Sequence, residues 1–186
     1  MPHIPRWKRL LSYFFEFHIE SAPSELNPHL YVSLSRGRYQ LCTANAVYSF
    51  GDLYDNFAKA FRRIQPSTLP IEDVLLLGFG LGSIPLMLEK KFNCRFRYTG
   101  VEADESVIWL AGKYALPEIE SPLELHCADA FAYTFSSESR FDLICMDVFL
   151  DDQIPEEFTQ TDFLEALRDL LRPGGILLYN RLSATD

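Results

Sequence analysis

The run Val74-Leu-Leu-Leu-Gly78-Phe-Gly80-Leu-Gly82-Ser83 constrains this chain more than any other stretch. Four consecutive aliphatic residues read as a strand buried on both faces, the pattern of a parallel sheet covered by helices. Three glycines at alternate positions then make a tight turn, and Ile84–Lys91 carries helical spacing with Pro85 tolerated in the first turn. Strand, glycine turn and helix in that order leave helix N–H groups facing a stretch of backbone that a ligand can approach closely. Glycines also make plain turns, so the ligand reading needs the rest of the chain.

Beyond this run, Arg97–Val101, Leu123–His126, Leu143–Met146 and Ile176–Tyr179 read as further strands. Ser106–Tyr114 and Thr161–Leu171 read as helices, the second closing at Arg172-Pro173-Gly174-Gly175. Alternating strands and helices predict a doubly wound, mostly parallel α/β sheet over residues 71–186. The chain stops six residues after Asn180, so the sheet is expected to end with the fifth strand.

Residues 1–65 read differently. Ile4 to Phe15 has Trp7, Leu10, Leu11, Phe14 and Phe15 at three- and four-residue steps, an amphipathic helix expected to cap a core. Extended segments follow at Glu16–Glu20, His29–Ser35 and Tyr39–Val47, with a hairpin expected at Arg36-Gly37-Arg38. A helix over Leu53–Ile64 and a linker at Pro66–Pro70 complete this small β-rich appendage.

Charge narrows the partners. The 186 residues carry a formal charge of −9, which gives no general attraction to nucleic acid or an anionic membrane and suits a small neutral or cationic substrate. The four cysteines form no CxxC pair and read as buried thiols in a reducing, cytoplasmic setting. The four histidines have no ligand spacing, so no metal site is expected. The longest apolar run, Val74 to Leu88, is broken by glycines and proline and is shorter than the ~18 residues of a membrane span.

Three acids fall at expected strand ends. Glu102 ends the second strand about 20 residues after the last glycine, where a carboxylate can accept both hydroxyls of a ribose. Asp129 follows the third strand and Asp147 the fourth, at the sheet edge where ligands bind in open α/β folds. Each also has a plain structural reading, as a solvated strand end, a helix cap or a loop anchor.

Over Ile71 to Asn180 this pattern resembles the class I S-adenosylmethionine-dependent methyltransferases, which have a Rossmann-like fold with two strands beyond the fifth that this sequence is expected to lack. The resemblance implies that Gly78–Gly82 lies against the methionine part of the cofactor, that Glu102 holds the ribose and that Asp129 pairs with the adenine amino group. Gly78, Phe79, Gly80, Gly82, Glu102, Ala103, Asp129, Ala130 and Asp147 are therefore the candidate cofactor-binding residues. Leu76, where many members carry an acid, and Asp52-Leu-Tyr54-Asp55 after an extended segment are similar to the spermidine synthase-like branch. That branch implies Asp147 as the catalytic base toward an amine, with Tyr54, Asp55, Asp151 and Asp152 as substrate-binding candidates.

The chain departs from spermidine synthases at Leu81, where they carry an Asp, at Tyr54-Asp55-Asn56, where they carry Tyr-His-Glu, and at Val148-Phe149, which replaces an Asp-Pro pair. Leu81 leaves room for an intact methionine carboxylate, so the expectation is methyl transfer from S-adenosylmethionine, with aminopropyl transfer from its decarboxylated form as the alternative. Two further readings stay open. One is an NAD-dependent oxidoreductase, since Gly78-x-Gly80-x-x-Ser83 narrowly misses the dinucleotide fingerprint. The other is a non-catalytic cofactor-binding or dimerisation protein. A homodimer is expected, because a bare strand edge after Ile176–Tyr179 invites pairing unless the N-terminal β piece or another subunit covers it.

Overall fold

A computed structural model describes residues 4–149 and 153–181. Its centre is a five-stranded parallel sheet in the order β7-β6-β5-β8-β9, formed by β5 (Asp73–Leu77), β6 (Arg97–Glu102), β7 (Leu123–Cys127), β8 (Phe141–Met146) and β9 (Leu171–Tyr179). Strand β5 explains its own sequence. Val74 and Leu76 point into one core with helices α3 (Ser83–Phe92) and α4 (Glu105–Tyr114), while Leu75 and Leu77 point into a second core on the opposite face. Period-two alternation with both faces covered requires an unbroken aliphatic run.

The second core is closed by α5 (Ala130–Ser136) and α6 (Thr161–Asp169), with the Phe131 and Phe163 rings stacked at 5.5 Å and Phe158 edge-on to Phe163 at 5.1 Å. Helix α5 carried no sequence expectation, because seven aromatic- and hydroxyl-rich residues give little helical periodicity. Strand β9 starts five residues before Ile176. Its pairing jumps from Phe141↔Leu171 to Leu143↔Ile176, so the Pro-Gly-Gly stretch expected as a loop is an interruption inside the strand, and α6 ends at Asp169.

The N-terminal residues form a separate antiparallel sheet in the order β1-β2-β3-β4, comprising β1 (Phe17–Ser21), β2 (Tyr31–Ser35), β3 (Arg38–Cys42) and β4 (Val47–Ser49). The β2–β3 hairpin turns on Arg36 and Gly37, at φ 48° and 72°, as a two-residue turn of that hand demands. The segment Tyr39–Val47, expected as one strand, is two. A turn closed by the Thr43 amide on the Ala46 carbonyl, at 2.9 Å, separates β3 from β4.

Val32, Leu34, Tyr39 and Leu41 of this sheet, with Leu30 just before β2, share the first core with α2 (Asp55–Ile64), α3 and α4. The sheet therefore packs on one face of the parallel sheet and, among the described residues, does not pair with β9, so of the two coverings expected for that edge it is not the N-terminal piece that supplies one. Helix α1 (Arg6–Leu11) is also shorter than its apolar stripe and caps no core. None of its residues is buried, and Trp7 and Phe14 are 62% and 76% exposed. Periodicity identifies an apolar face but says nothing of what lies against it. Among the cysteines, Cys127 is exposed because it ends edge strand β7, while Cys42, Cys94 and Cys145 are buried. Among the described residues no helix is long and apolar enough to cross a membrane.

Candidate active site

Strand order reverses between β5 and β8: from β5 the chain runs outward through β6 and β7, then returns to place β8 on the other side. The carboxyl ends of these two strands are the switch point of the sheet, and Gly78 and Asp147 occupy them. The backbone is tied tightly here, with the Asp147 amide on the Leu77 carbonyl at 2.8 Å and the Gly78 amide on the Val101 carbonyl at 3.0 Å. Gly78 has φ 81°, and a Cβ on it would lie 2.3 Å from the Asp147 carbonyl oxygen. A glycine is required so that the glycine turn and Asp147 can stand side by side.

Glu102 fastens the turn from the other side. Its Oε2 accepts the Gly80 amide at 3.0 Å and its Oε1 accepts the Asp104 amide at 3.2 Å. Burial pushes its carboxyl above the ordinary range, and these backbone donors pull it part of the way back. A carboxylate offers about four lone-pair positions, so two engaged amides leave capacity for two hydroxyl donors. Asp129 is exposed at the end of β7, and its Oδ1 accepts the Ala132 amide at 2.8 Å. It is thus the N-cap of α5 as well as a cleft residue, and the cap leaves its remaining acceptor capacity at the cleft.

Asp147 carries the most informative chemistry. Its Oδ1 accepts the Asn180 amide nitrogen at 2.7 Å and the Tyr54 hydroxyl at 3.4 Å, while Asn56 Nδ2 donates to the Tyr54 oxygen at 3.1 Å. Burial pushes the Asp147 carboxyl up to about 6, opposed only by these two neutral donors. Burial first, and then the facing Asp147 charge, pushes the Tyr54 phenol far above its ordinary value, so it remains a donor. Among the described residues, no lysine, arginine or histidine hydrogen-bonds to this pair.

One cleft collects Gly78, Gly80, Glu102, Ala103, Asp129, Ala130 and Asp147. The other candidates stand elsewhere. Phe79 is 5% exposed, and its ring is tucked against Gly82 and Gly100, where a Cβ on Gly100 would meet it at 2.7 Å. Gly82 is the left-handed N-cap of α3 against Phe79 and Ile119. Tyr54 is buried behind Asp147 and meets the site only through it. Asp55 is exposed in the first turn of α2, where an acid favours the helix dipole, and it does not line the cleft. Asp151 and Asp152 lie outside the described residues.

Leu81 is corrected as well. It is 2% exposed with its amide on Ser49 Oγ at 3.0 Å, so its side chain belongs to the core beneath the turn and does not itself shape the space above it. The sequence reading missed Leu26, Asn27 and Asp104, which line the same cleft with Tyr48 and Glu157, and Asn180, which reaches Asp147. Asn180 had a signal, being the first polar residue after the fifth strand. Leu26, Asn27 and Asp104 come from connections between elements, whose docking no local pattern encodes.

Residues 74–175, more than half of the chain, match a family described as a methyltransferase domain. The chain belongs to that methyltransferase domain family. Within it, the domain is 31% identical over 112 residues to a probable polyamine aminopropyl transferase of Bifidobacterium longum, an alignment covering 60% of this chain and 24% of that protein. It is 28% identical over 121 residues to the human eEF1A lysine and N-terminal methyltransferase, covering 58% of this chain and 17% of that one. The crystal structure of spermidine synthase from Thermotoga maritima superposes with a TM-score of 0.64 at 18% identity, over 88% of this chain and 56% of that one, and so shares its fold. The chain spans about a quarter of the length of the Bifidobacterium relative.

Proposed function

We propose that this methyltransferase domain is an S-adenosylmethionine-dependent transferase acting on a small amine or other cationic acceptor, by methyl transfer. One observation carries the reading. The cleft at the switch point is lined by five carboxylates, Glu102, Asp104, Asp129, Asp147 and Glu157, and by no lysine, arginine or histidine among the described residues. Such a cleft concentrates cations and opposes phosphates, which suits a sulfonium compound with an amine and disfavours a dinucleotide.

The residues fit an adenosyl sulfonium cofactor. Glu102 retains acceptor positions for ribose hydroxyls, Asp129 for an adenine amino group, and Val148, Phe149 and Phe158 give an apolar wall. When bound, S-adenosylmethionine supplies an electrophilic carbon on sulfur. The chain's own part is to hold the acceptor and take its proton. Asp147, at the meeting of the glycine turn and β8, is the base. Tyr54 and Asn180 fix its Oδ1, which leaves Oδ2 to accept the proton.

Two expected outcomes follow. Glu102→Ala should weaken binding of S-adenosylmethionine by about 1.5–3 kcal/mol, the value of hydrogen bonds to a charged group, measured by equilibrium titration. Activity should rise with pH through about 6, because below that value the Asp147 carboxyl is protonated and accepts nothing, and above it the carboxylate is free to act. A rate independent of pH from 5 to 7 would contradict the base assignment.

Aminopropyl transfer is the second reading, favoured by the name of the Bifidobacterium relative. Methyl transfer is preferred because the glycine turn, Gly78 to Gly82, carries no acid to meet a cofactor's amine tail. Mass spectrometry of the products formed from putrescine, spermidine and a panel of small amines, with each cofactor, tests the choice. A product heavier by one methylene supports methyl transfer, and one heavier by an aminopropyl group overturns it.

A further inference from the structure

Asp104 lies two residues beyond Glu102 and is 4% exposed. Its carboxylate joins two separate parts of the chain. Oδ1 accepts the Ser106 amide at 2.9 Å and so caps α4. Oδ2 accepts the Ser24 hydroxyl at 2.5 Å and the Asn27 side-chain amide at 2.7 Å, both from the connection between β1 and β2. That connection is folded on itself as well, because Ser24 Oγ accepts the amides of Leu26 at 3.1 Å and Asn27 at 2.8 Å. Two more bonds secure its edges: Ser106 Oγ donates to the Pro23 carbonyl at 2.5 Å, and Tyr48 of β4 donates to Asn27 Oδ1 at 2.9 Å.

The result is a strap, residues 23–27, drawn from the N-terminal sheet across the end of β6. Leu26, Asn27 and Tyr48 form the cleft wall beside Glu102 and Ala103. A connection of this kind stays open unless something fastens it, and hydrogen bonds to an ionised acceptor are the stronger fasteners. We infer that Asp104 is a positioning residue that latches the strap over the nucleoside side of the cleft, so that the N-terminal sheet becomes part of the ligand site. The inference rests on the proposed adenosyl ligand for its function, while the latch itself is readable without any ligand.

Asp104→Asn separates the two roles of this carboxylate. Asparagine is as good an N-cap, but its amide nitrogen presents hydrogens where Ser24 and Asn27 also donate. Ser24→Ala, outside the cleft, removes the hydroxyl that donates to Asp104 and accepts the Leu26 and Asn27 amides, and it carries the test if the first variant does not fold. The probes are S-adenosylhomocysteine and 5′-methylthioadenosine, which share the adenosyl part and differ in the tail. Because the strap faces the shared part, each variant should weaken both ligands about tenfold. Amide exchange over residues 24–27 should speed up in the free protein.

Combining the two variants should add little to either alone, since both break one latch. Unchanged affinity in both variants overturns the inference. If the wild-type chain binds neither probe, the cofactor reading falls, and exchange over residues 24–27 still decides the latch: faster exchange in both variants supports it, and unchanged exchange overturns it.

Discussion

Replacing Asp147 by asparagine is expected to slow turnover about 10²–10⁴-fold, the usual contribution of a positioned general base. The side chain keeps its shape, and the new amide oxygen can still accept from Asn180 and Tyr54, so folding and cofactor affinity should change little. What is lost is an acceptor that can hold a proton. The rise in rate through about pH 6 should vanish in the variant, because burial of this one carboxyl sets that pH. Steady-state kinetics of both proteins across pH 5–8, with the best amine of the panel, checks this. Full activity in Asp147→Asn would leave the residue as an anchor for Asn180 and the β8 loop.

Gly78→Ala is expected to destabilise the domain by about 3–5 kcal/mol, among the largest effects of a single methyl group. Two costs add. A left-handed backbone disfavours any Cβ by about 1–2 kcal/mol, and the φ of 81° is held by the strand pairings on both sides. The new methyl also meets backbone, 2.3 Å from the Asp147 carbonyl oxygen, and only a shift of the β8 end relieves it. The same shift displaces the candidate base, so residual folded protein should also be slow. Gly112→Ala in α4 is the contrast: nothing lies within 4 Å of its Cβ, and alanine in a helix interior should stabilise by about 0.5–1 kcal/mol. Urea denaturation of the three proteins reads both signs, and a Gly78→Ala midpoint equal to wild type would refute the close-approach argument.

The parallel sheet was legible because its information is local. An aliphatic run followed by glycines, and acids immediately after later apolar runs, mark strands and their carboxyl ends without reference to anything distant. The ends of β5 to β8 thus announced Gly78, Glu102, Asp129 and Asp147. What the pattern leaves open is which way a side chain turns. Phe79 and Leu81 sit between the glycines yet point into the core, since alternate residues of a tight turn face opposite sides. Tyr54 and Asn180, 126 residues apart in sequence, come together only at Asp147, where the residue before α2 and the residue after β9 both reach the end of β8. The strap over residues 23–27 was invisible for the same reason, its fastening being an Asp about 80 positions away.

The central claim is that the acidic cleft at the switch point takes an adenosyl sulfonium compound. Calorimetric titration of the chain with S-adenosylmethionine, its decarboxylated form and NAD, side by side and repeated with Glu102→Ala, addresses it most directly. Saturable binding of a sulfonium compound, tighter for the intact one, lost by about 1.5–3 kcal/mol in the variant and absent for NAD, is the predicted result. Preferential binding of NAD, or equal binding of S-adenosylmethionine by wild type and Glu102→Ala, would contradict it.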